Sequence, residues 1–421
     1  MNYRQRIDKY AHFGIHLGLE RILNLLDHLG NPHLRVPTIH VAGTNGKGSV
    51  CAFVSTILTR AGYKVGRYIS PHLLDWRERI TINQEWIPAN ELDSLLSEVE
   101  SAIDPQYYPT QFEVITAVAW LYFAKQKVNI AVMETGLGGR LDATNVQSEP
   151  LVTAITSISR DHWQRLGDSL EKIAFEKAGI IKSHCPVVIS ELPIAAMAVI
   201  TERAKQLNAP LIQVERARIK QNFLVWRDYT YNCSLQGEHQ QLNSAIALGI
   251  ITELQQQGWQ INREAVLQGM AQTQWAGRLQ WTYWKNHKIL IDGAHNVDSA
   301  KYLRKFVDSY FAEASVTWIV GIIATKDPQG ILSAILRPQD RVVTVPVPDH
   351  QTIPPVELAK IASSLVASPP LACSSLEEGL ERSQGNTVLC GSLYLIGYFL
   401  GILSSLNKAC GIPHPVEVGD G

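Results

Sequence analysis

A glycine-rich segment between a buried strand and a helix constrains the fold of this chain more than any other feature. The predicted strand 38–42 runs into the loop 43–49, which reads GTNGKGS. Apolar residues then recur from Val50 to Ala61 at the spacing of one helix face. Glycines let backbone N–H groups approach phosphate oxygens, and the start of a helix adds the positive end of its dipole. The segment therefore predicts a phosphate-binding loop in an α/β fold.

Two side chains of this loop suit polyphosphate chemistry. Lys47 can reach the outer phosphates, and the hydroxyl of Ser49 suits Mg²⁺. The strict pattern GxxxxGK[ST] is broken, because position 41 is Val and Gly48 lies between the lysine and the serine. A plain glycine turn is the alternative. The order of strand, glycines, lysine, hydroxyl and helix favours phosphate binding.

Strands and amphipathic helices alternate through most of the chain, which is typical of α/β proteins with mainly parallel sheets. Further strands are predicted at residues 128–133 and 151–158. The pattern starts again near residue 280, with predicted strands at 288–292, 315–322, 341–347 and 386–390. We therefore predict an N-terminal P-loop-type ATPase domain over residues 1–280 and a smaller, Rossmann-like α/β domain over residues 281–421.

Composition excludes several classes of protein. The 38 Lys and Arg against 39 Asp and Glu give a net charge of −1, which argues against a dedicated nucleic-acid binder. The six cysteines are widely spaced without a CxxC pair, as in a reduced intracellular protein. The N-terminus lacks the apolar stretch of a signal peptide, and the apolar run 393–403 is too short to span a bilayer. We expect a cytoplasmic protein that binds neither nucleic acid nor membranes.

Two polar residues follow predicted strands at the end where α/β proteins bind ligands. Glu134 could hold Mg²⁺ beside the phosphates, or it is an ordinary strand-end acid. His162 follows strand 151–158 and is either a ligand or a hydrogen-bonded structural residue. The polar glycine loop 136–145, GLGGRLDATN, is expected to contact the substrate.

Lys177 lies on an otherwise apolar face of the predicted helix 170–181. The apolar members of that face are Leu170, Ile173, Ala174, Ala178 and Ile181. A buried lysine is costly unless it is paired or chemically changed. The alternative is a lysine whose stem passes the core while its amine reaches water.

The second predicted domain repeats the pattern of polar residues after a strand. Asp292, His295 and Asn296 follow strand 288–292, where they form either a ligand site or a tight structural turn. Arg278, just before this domain, could reach a phosphate, or it is a surface arginine.

Together these segments resemble the folylpolyglutamate synthase/dihydrofolate synthase family of the Mur ligase superfamily, over most of the chain. The matching motifs are HLGLERI (16–22), VAGTNGKGS (41–49), SPHL (70–73), PTQFE (109–113), ETGLGGRLDATN (134–145), DH (161–162), EKAGI (176–180), GRL (277–279), DGAHN (292–296) and CGS (390–392). The glycine loop alone would indicate only the superfamily. The SPHL and GLGGRLDATN motifs indicate the folate branch.

The resemblance implies an ATP-dependent ligase that phosphorylates a carboxylate to an acyl phosphate, which the amine of L-glutamate then attacks. Its implied ATP-binding residues are Gly43, Thr44, Asn45, Gly46, Lys47, Gly48, Ser49, Asn243, Arg278, Asp292 and His295. Its implied pteroate-binding residues are His16, Leu17, Gly18, Thr110, Gln111, Phe112, Leu141, Asp142 and Ala143.

The resemblance also implies the metal and catalytic residues. Two Mg²⁺ sites would use Ser49, Ser70, Glu134 and His162. Lys47, His162 and Lys177 would be catalytic, and Lys177 matches the lysine that becomes N-carboxylated in this family. The implied substrates are ATP, L-glutamate and either dihydropteroate or folate, and the implied state is a monomer. A monovalent cation is left open.

Two positions depart from the family pattern. His16, one of the implied pterin contacts, stands where the family often has Asp, and Val297 stands where it often has Pro. The sequence leaves open whether the product is dihydrofolate, polyglutamylated folate or both. Another Mur-type ligase, acting on UDP-muramyl peptides, and a nucleotide-binding regulator without chemistry are the alternatives. A GTPase is disfavoured because the NKxD motif is missing.

Overall fold

The computed structural model describes residues 2–14, 16–312 and 314–409. The chain forms two compact units. The first comprises Met1–Ser234 and His239–Trp275, and the second comprises Leu235–Glu238 and Ala276–Gly421. The end of the predicted second domain, residues 410–421 with Cys410, lies outside the described residues.

The first unit is built on a large, mainly parallel sheet. Its described strands are β1 (Thr38–Ala42), β2 (Val65–Tyr68), β3 (Ile80–Ile82), β4 (Glu85–Trp86), β5 (Ile130–Glu134), β6 (Val152–Ile155), β7 (Val187–Ile189), β8 (Leu211–Gln213), β9 (Arg218–Lys220), β10 (Phe223–Trp226) and β11 (Tyr229–Tyr231). The sheet has the order β4-β3-β2-β5-β1-β6-β7-β8, and β9 to β11 form a separate antiparallel sheet. Six neighbouring strands run parallel, in the order β2-β5-β1-β6-β7-β8, and β3 and β4 add an antiparallel edge beside β2. The predicted α/β class is confirmed.

The helices of the first unit pack against this sheet and are joined to its strands by loops. They are α1 (Tyr3–Asp8), α2 (Glu20–His28), α3 (Lys47–Arg60), α4 (Ala89–Ser101), α5 (Gln111–Lys125), α6 (Trp163–Leu166), α7 (Leu170–Ala178), α8 (Ile194–Gln206), α9 (Gln240–Gln256) and α10 (Arg263–Gln272). Short 3-10 turns include Trp76–Arg79.

Helix α3 differs from its prediction in two ways. It begins at Lys47 rather than after the loop, so Lys47 and Ser49 belong to its first turn. The apolar spacing from Val50 predicted one buried face, but every residue from Ser49 to Leu58 is buried. Small and weakly polar side chains such as Ser55 fill the remaining faces, because helices α9 and α10 pack against α3 as the sheet does.

The second unit has its own sheet, in the order β12-β13-β17-β14-β15-β16. Its described strands are β12 (Gln280–Trp284), β13 (His287–Ile291), β14 (Val316–Val320), β15 (Arg341–Thr344), β16 (Leu371–Ala372) and β17 (Asn386–Cys390). Its helices are α11 (Val297–Phe311), α12 (Pro328–Ile335), α13 (Pro355–Ala362), α14 (Leu376–Arg382) and α15 (Leu393–Ala409). All pairs are parallel except β12 with β13. The second α/β sheet is therefore confirmed.

The apolar run at 393–403 forms the first part of α15, where Leu395, Ile396 and Phe399 are buried. In the part of the chain that the structure describes, no helix combines the length and apolarity that crossing a membrane requires.

Candidate functional site

The predicted phosphate loop lies at the carboxyl edge of three neighbouring parallel strands. In the sheet register, Val41 of β1 lies opposite Glu134 of β5, and Ala42 lies opposite Ile155 of β6. The segments that follow β1, β5 and β6 therefore leave the sheet side by side. This is the edge where open α/β sheets bind ligands.

The shape of the loop depends on two glycines. Gly43 (φ 150°) and Gly46 (φ 87°) adopt backbone angles that favour glycine. A Cβ at Gly43 would overlap the side chain of Thr156, and one at Gly46 would overlap that of Asn243. The segment after β6 fixes the loop further, because the backbone N–H of Thr44 donates to the carbonyl of Ser157 (2.8 Å). The loop thus delivers the chain tightly into the N-terminus of α3.

Lys47, Glu134 and Ser70 come together beside this loop. Lys47 Nζ donates to the carbonyl of Thr44 (3.2 Å) and lies 3.9 Å from Glu134 Oε1. The backbone N–H of Ser70 contacts Glu134 Oε2 at 3.4 Å. Glu134 is buried. A carboxylate at this place suits Mg²⁺, which is usually held by one or two carboxylates together with substrate phosphates.

The predicted metal ligands do not form a cage of protein side chains. Among the described residues, no group of three or more His, Cys, Asp or Glu side chains is placed to hold a metal ion. Glu134 with the predicted ligands Ser49 and Ser70 would suit an ion that takes its remaining oxygens from phosphates and water. His162, the other predicted ligand, has a half-exposed side chain, left-handed backbone (φ 49°) and an Nε2 4.0 Å from Asp161 Oδ1.

Ser49 is contacted by a side chain of helix α9. Gln240 Nε2 donates to Ser49 Oγ (3.4 Å), and Asn243 Nδ2 donates to Gln240 Oε1 (3.0 Å). All three side chains are buried. The structure thus brings the predicted residues Ser49 and Asn243 together. Gln240, which links them, carried no signal in the sequence.

Lys177 is buried with its amine against the phosphate loop. Its side chain is 4% exposed, and Nζ donates to the carbonyl of Gly43 (2.7 Å). The alternative in which the amine reaches water is therefore wrong. Burial, and next the charge of Lys47, lower the pKa of Lys177 to about 7, while Asp161 and Asp142 oppose the shift. The neutral amine is therefore far more abundant at pH 7 than in an ordinary lysine, whose pKa is about 10.4.

The three predicted pteroate-binding segments meet in the first unit. The backbone N–H of Gly18 contacts the carbonyl of Leu141 at 3.4 Å. Arg21 donates from Nη2 to the carbonyl of His16 (2.9 Å) and from Nε to both carboxylate oxygens of Glu113 (3.1 Å each). Glu113 also completes the N-terminal cap of α5 with Thr110. These contacts fix segment 16–18 beside the start of α5.

Phe112 and Asp142 have identifiable structural contacts. A Cβ at Gly136 would lie 2.5 Å from the ring of Phe112, so the glycine lets that ring approach the loop. The buried carboxylate of Asp142 accepts from the backbone of Leu137 (2.7 Å) and from the Thr144 hydroxyl (2.6 Å), and burial raises its pKa. Asp142 therefore shapes the glycine loop, and its predicted contact with substrate stays a prediction.

In the second unit, the predicted residues Asp292 and His295 lie on one turn after β13. Asp292 accepts from the backbone N–H groups of Leu279 (2.9 Å) and Ala294 (2.8 Å). Its pKa is raised by burial, against the charge of Arg278. His295 Nδ1 lies 2.8 Å from the carbonyl of Gly293. The carboxylate of Asp292 thus organises the turn, whatever else it binds.

Two family models match this chain. The model described as Mur ligase middle domain matches residues 41–251, and the model described as Dihydrofolate synthetase, C-terminal domain, matches residues 278–402. The chain is 35% identical to the probable dihydrofolate synthetase of Schizosaccharomyces pombe over 91% of this chain and 97% of that protein. It is also 35% identical to the dihydrofolate synthase/folylpolyglutamate synthase of Bacillus subtilis, over 77% of this chain and 79% of that protein.

Solved structures that resemble this chain belong to the same family as its curated relatives. Folylpolyglutamate synthase of Mycobacterium tuberculosis, complexed with ADP and AMPPCP, superimposes with a TM-score of 0.87 at 29% identity, covering 95% of this chain and 99% of that chain. E. coli FolC, in complex with DHPP and ADP, gives a TM-score of 0.86 at 26% identity, covering 97% of this chain and 99% of that chain.

Proposed function

Because this chain belongs to the folylpolyglutamate synthase/dihydrofolate synthase family of Mur ligases, we propose that it is an ATP-dependent ligase that joins L-glutamate to dihydropteroate, to folates or to both. The observation that carries the proposal is the phosphate loop with Lys47, Glu134 and Lys177 at the carboxyl edge of β1 and β5. Its relatives include dihydrofolate and folylpolyglutamate synthases, which supports this substrate class.

The reaction needs two bond exchanges. A carboxylate oxygen of the pteroate or folate attacks the γ-phosphorus of ATP, which forms an acyl phosphate and releases ADP. The amine of glutamate, after losing a proton, attacks the acyl carbon, which forms the amide and releases phosphate. Lys47 and the N–H groups at the start of α3 stabilise the phosphate charge during the first exchange. The predicted ATP residues in the second unit are Arg278, Asp292 and His295.

Mg²⁺ is the proposed metal, with Glu134 and Ser70 as ligands at one site, Glu134 and His162 at a second, and Ser49 nearby. When bound, the ion neutralises phosphate charge. Carbamylation of Lys177 would place a negative charge near the metal ion. The neutral amine of Lys177 can attack CO₂, form a C–N bond and lose a proton. The product is an anion instead of an ammonium that would repel the metal.

We also propose a function for each predicted domain. Residues 1–280 would bind the pteroate group and the phosphates of ATP, and residues 281–421 would form the glutamate ligase domain, which adds Asp292 and His295 to the ATP site. We propose a cytoplasmic monomer. Whether the same site makes dihydrofolate and extends folates is the finer question, and it depends on the substrate that is accepted.

A substrate matrix tests the proposal. Purified protein is supplied with Mg²⁺-ATP and L-glutamate, together with dihydropteroate, tetrahydrofolate, a UDP-muramyl peptide or no acceptor. We expect ADP release that requires both glutamate and a pteroate-type acceptor, with the amide product identified by mass spectrometry. ADP release with the muramyl peptide alone would favour another Mur-type ligase. Nucleotide binding without turnover on any acceptor would favour a regulator.

A further inference from the structure

We propose that Arg79 binds the carboxylate of the pteroate or folate substrate that becomes phosphorylated. The inference rests on the proposed function and adds a residue that neither the sequence motifs nor the predicted ATP and pteroate sites include. It is carried by the position of Arg79 between the predicted pteroate-binding segments and the phosphate-binding edge.

On one side, Arg79 adjoins the phosphate-binding edge. It ends the 3-10 turn Trp76–Arg79, and its carbonyl accepts from the backbone N–H of Ile69 (3.0 Å). The next residue, Ser70, contacts Glu134 through its backbone N–H. Arg79 is thus joined to the chain segment that borders the proposed metal ligand.

On the other side, Arg79 adjoins the predicted pteroate site through Tyr68. The strand pairing places Tyr68 opposite Ile80, the residue after Arg79, and the Arg79 guanidinium lies within hydrogen-bonding reach of the Tyr68 hydroxyl. The same hydroxyl lies 2.9 Å from Thr116 Oγ1 on α5. The ring of Tyr68 lies 6.1 Å, centre to centre, from that of Phe112. Phe112 is one of the predicted pteroate contacts.

The guanidinium of Arg79 is held in one orientation before any ligand binds. Arg79 Nε donates to His72 Nδ1 (2.9 Å), and its Cζ lies 4.3 Å from the centre of the Trp76 ring. His72 Nδ1 accepts this hydrogen bond, so the imidazole holds one edge of the guanidinium while the Trp76 ring packs against it. A planar cation fixed in this way loses little freedom when it binds a planar anion.

The chemistry of the first step calls for a cation at this position. A carboxylate that attacks the γ-phosphate must approach a group of the same charge, and the repulsion is strong in a site that excludes water. An arginine can bind a carboxylate with two parallel hydrogen bonds and remain bound to one oxygen while the other reacts. Arg79 would therefore both select acceptors that carry a carboxylate and hold the carboxylate toward the phosphate.

The neighbouring Arg77 provides a matched control. Arg77 Nε donates to Asp75 (3.0 Å), and its guanidinium packs over Trp86 and Tyr3 rather than Trp76. Arg77→Met removes the same charge from the same turn. Its effect measures the general cost of losing a cation there.

The experiment compares two ligands that differ only in the carboxylate. Binding of dihydropteroate, and of its analogue with hydrogen in place of the carboxylate, is measured in the presence of Mg²⁺ and AMPPCP. We expect the wild-type protein and Arg77→Met to prefer dihydropteroate by about tenfold to a hundredfold. Arg79→Met should bring the two affinities within about threefold of each other, and Arg79→Lys should restore part of the preference. For a protein that accepts only folates, the ligand pair is tetrahydrofolate and its γ-carboxamide.

The outcomes separate this proposal from the proposed function. Ligand preference that is unchanged in Arg79→Met, or equal weakening of both ligands as a purely structural role would give, overturns the assignment of Arg79 while wild-type ligase activity stands. A wild-type protein without ligase activity on any pteroate acceptor overturns the proposed function instead. If Arg79→Met no longer binds AMPPCP and is therefore misfolded, Arg79→Lys decides: a partial or full preference for dihydropteroate supports the proposal, and no preference contradicts it.

Discussion

Replacing Lys177 by methionine should change how the stability of the first unit depends on pH. The pKa of Lys177 is lowered from 10.5 to about 7 in the folded protein, chiefly by burial. Between about pH 7 and pH 10.5 the unfolded chain therefore binds a proton on Lys177 that the folded chain has released. Raising the pH through this window stabilises the folded protein by about 1.4 kcal/mol per pH unit. Below pH 7 the full destabilisation is present.

The predicted magnitude is about 2 kcal/mol between pH 7.5 and pH 9.0. Lys177→Met abolishes this term, so the difference in free energy of unfolding, variant minus wild type, should fall by that amount over the interval. The variant also loses the hydrogen bond to the carbonyl of Gly43, which shifts the difference by a constant at both pH values. The change with pH is therefore the informative quantity.

Urea unfolding followed by circular dichroism, in buffers free of CO₂, measures the difference at both pH values. Lys172→Met is the matched control, since Lys172 lies on the same helix with its side chain in solvent beside Asp168. A Lys177→Met difference that stays constant with pH would refute a neutralised lysine at this position. Added bicarbonate at pH 7.5 should stabilise the wild type and leave Lys177→Met unchanged, because a carbamate bound only by the folded state adds to its stability.

Three further predictions concern the phosphate loop. Lys47→Ala should fold normally by circular dichroism and lose about a hundredfold to a thousandfold in ligase turnover, and turnover near the wild-type rate would contradict the assignment of the loop. Gly46→Ala should weaken ATP binding, measured by calorimetry, far more than Gly62→Ala does. Both glycines have positive φ, but only a Cβ at Gly46 would meet the side chain of Asn243. Equal affinities in the two variants would count against this loop geometry. Lys177→Ala should lose activity and regain part of it with acetate or formate, whereas Lys177→Arg should not respond, since it keeps a positive charge; rescue of both variants, or of neither, would argue against an anion at this position.

Sequence reasoning succeeded where local pattern determines structure. Predicted strands 38–42 and 386–390 coincide with β1 and β17, because each is a short, mainly apolar run bounded by proline or glycine. The burial of Lys177 was also predictable, since the periodicity of α7 assigns each residue to a face. The predicted strand 151–158 is longer than β6, because its last residues leave the sheet to hold the phosphate loop.

Sequence reasoning failed where contacts depend on how strands pair and how helices pack. Gln240 contacts Ser49, which lies 191 positions earlier, and the sequence around Gln240 contains no motif that predicts this contact. The contacts of Arg79 with His72 and Tyr68 depend on the antiparallel pairing of β2 with β3, because Tyr68 ends β2 and Arg79 immediately precedes β3. The expected amphipathic character of α3 was wrong for the same reason, since its extra buried faces depend on where α9 and α10 pack.

The central position of β1 has a consequence for synthesis of the chain. Both neighbours of β1 in the sheet, β5 and β6, are encoded roughly 90 and 110 residues later. At the usual speed of a ribosome, β1 waits on the order of 10 s before its second partner has been made. During that time an apolar strand with two open edges is a target for aggregation. Truncated chains that end before β6 should therefore need a holding chaperone to stay in solution, even though they contain the entire phosphate loop.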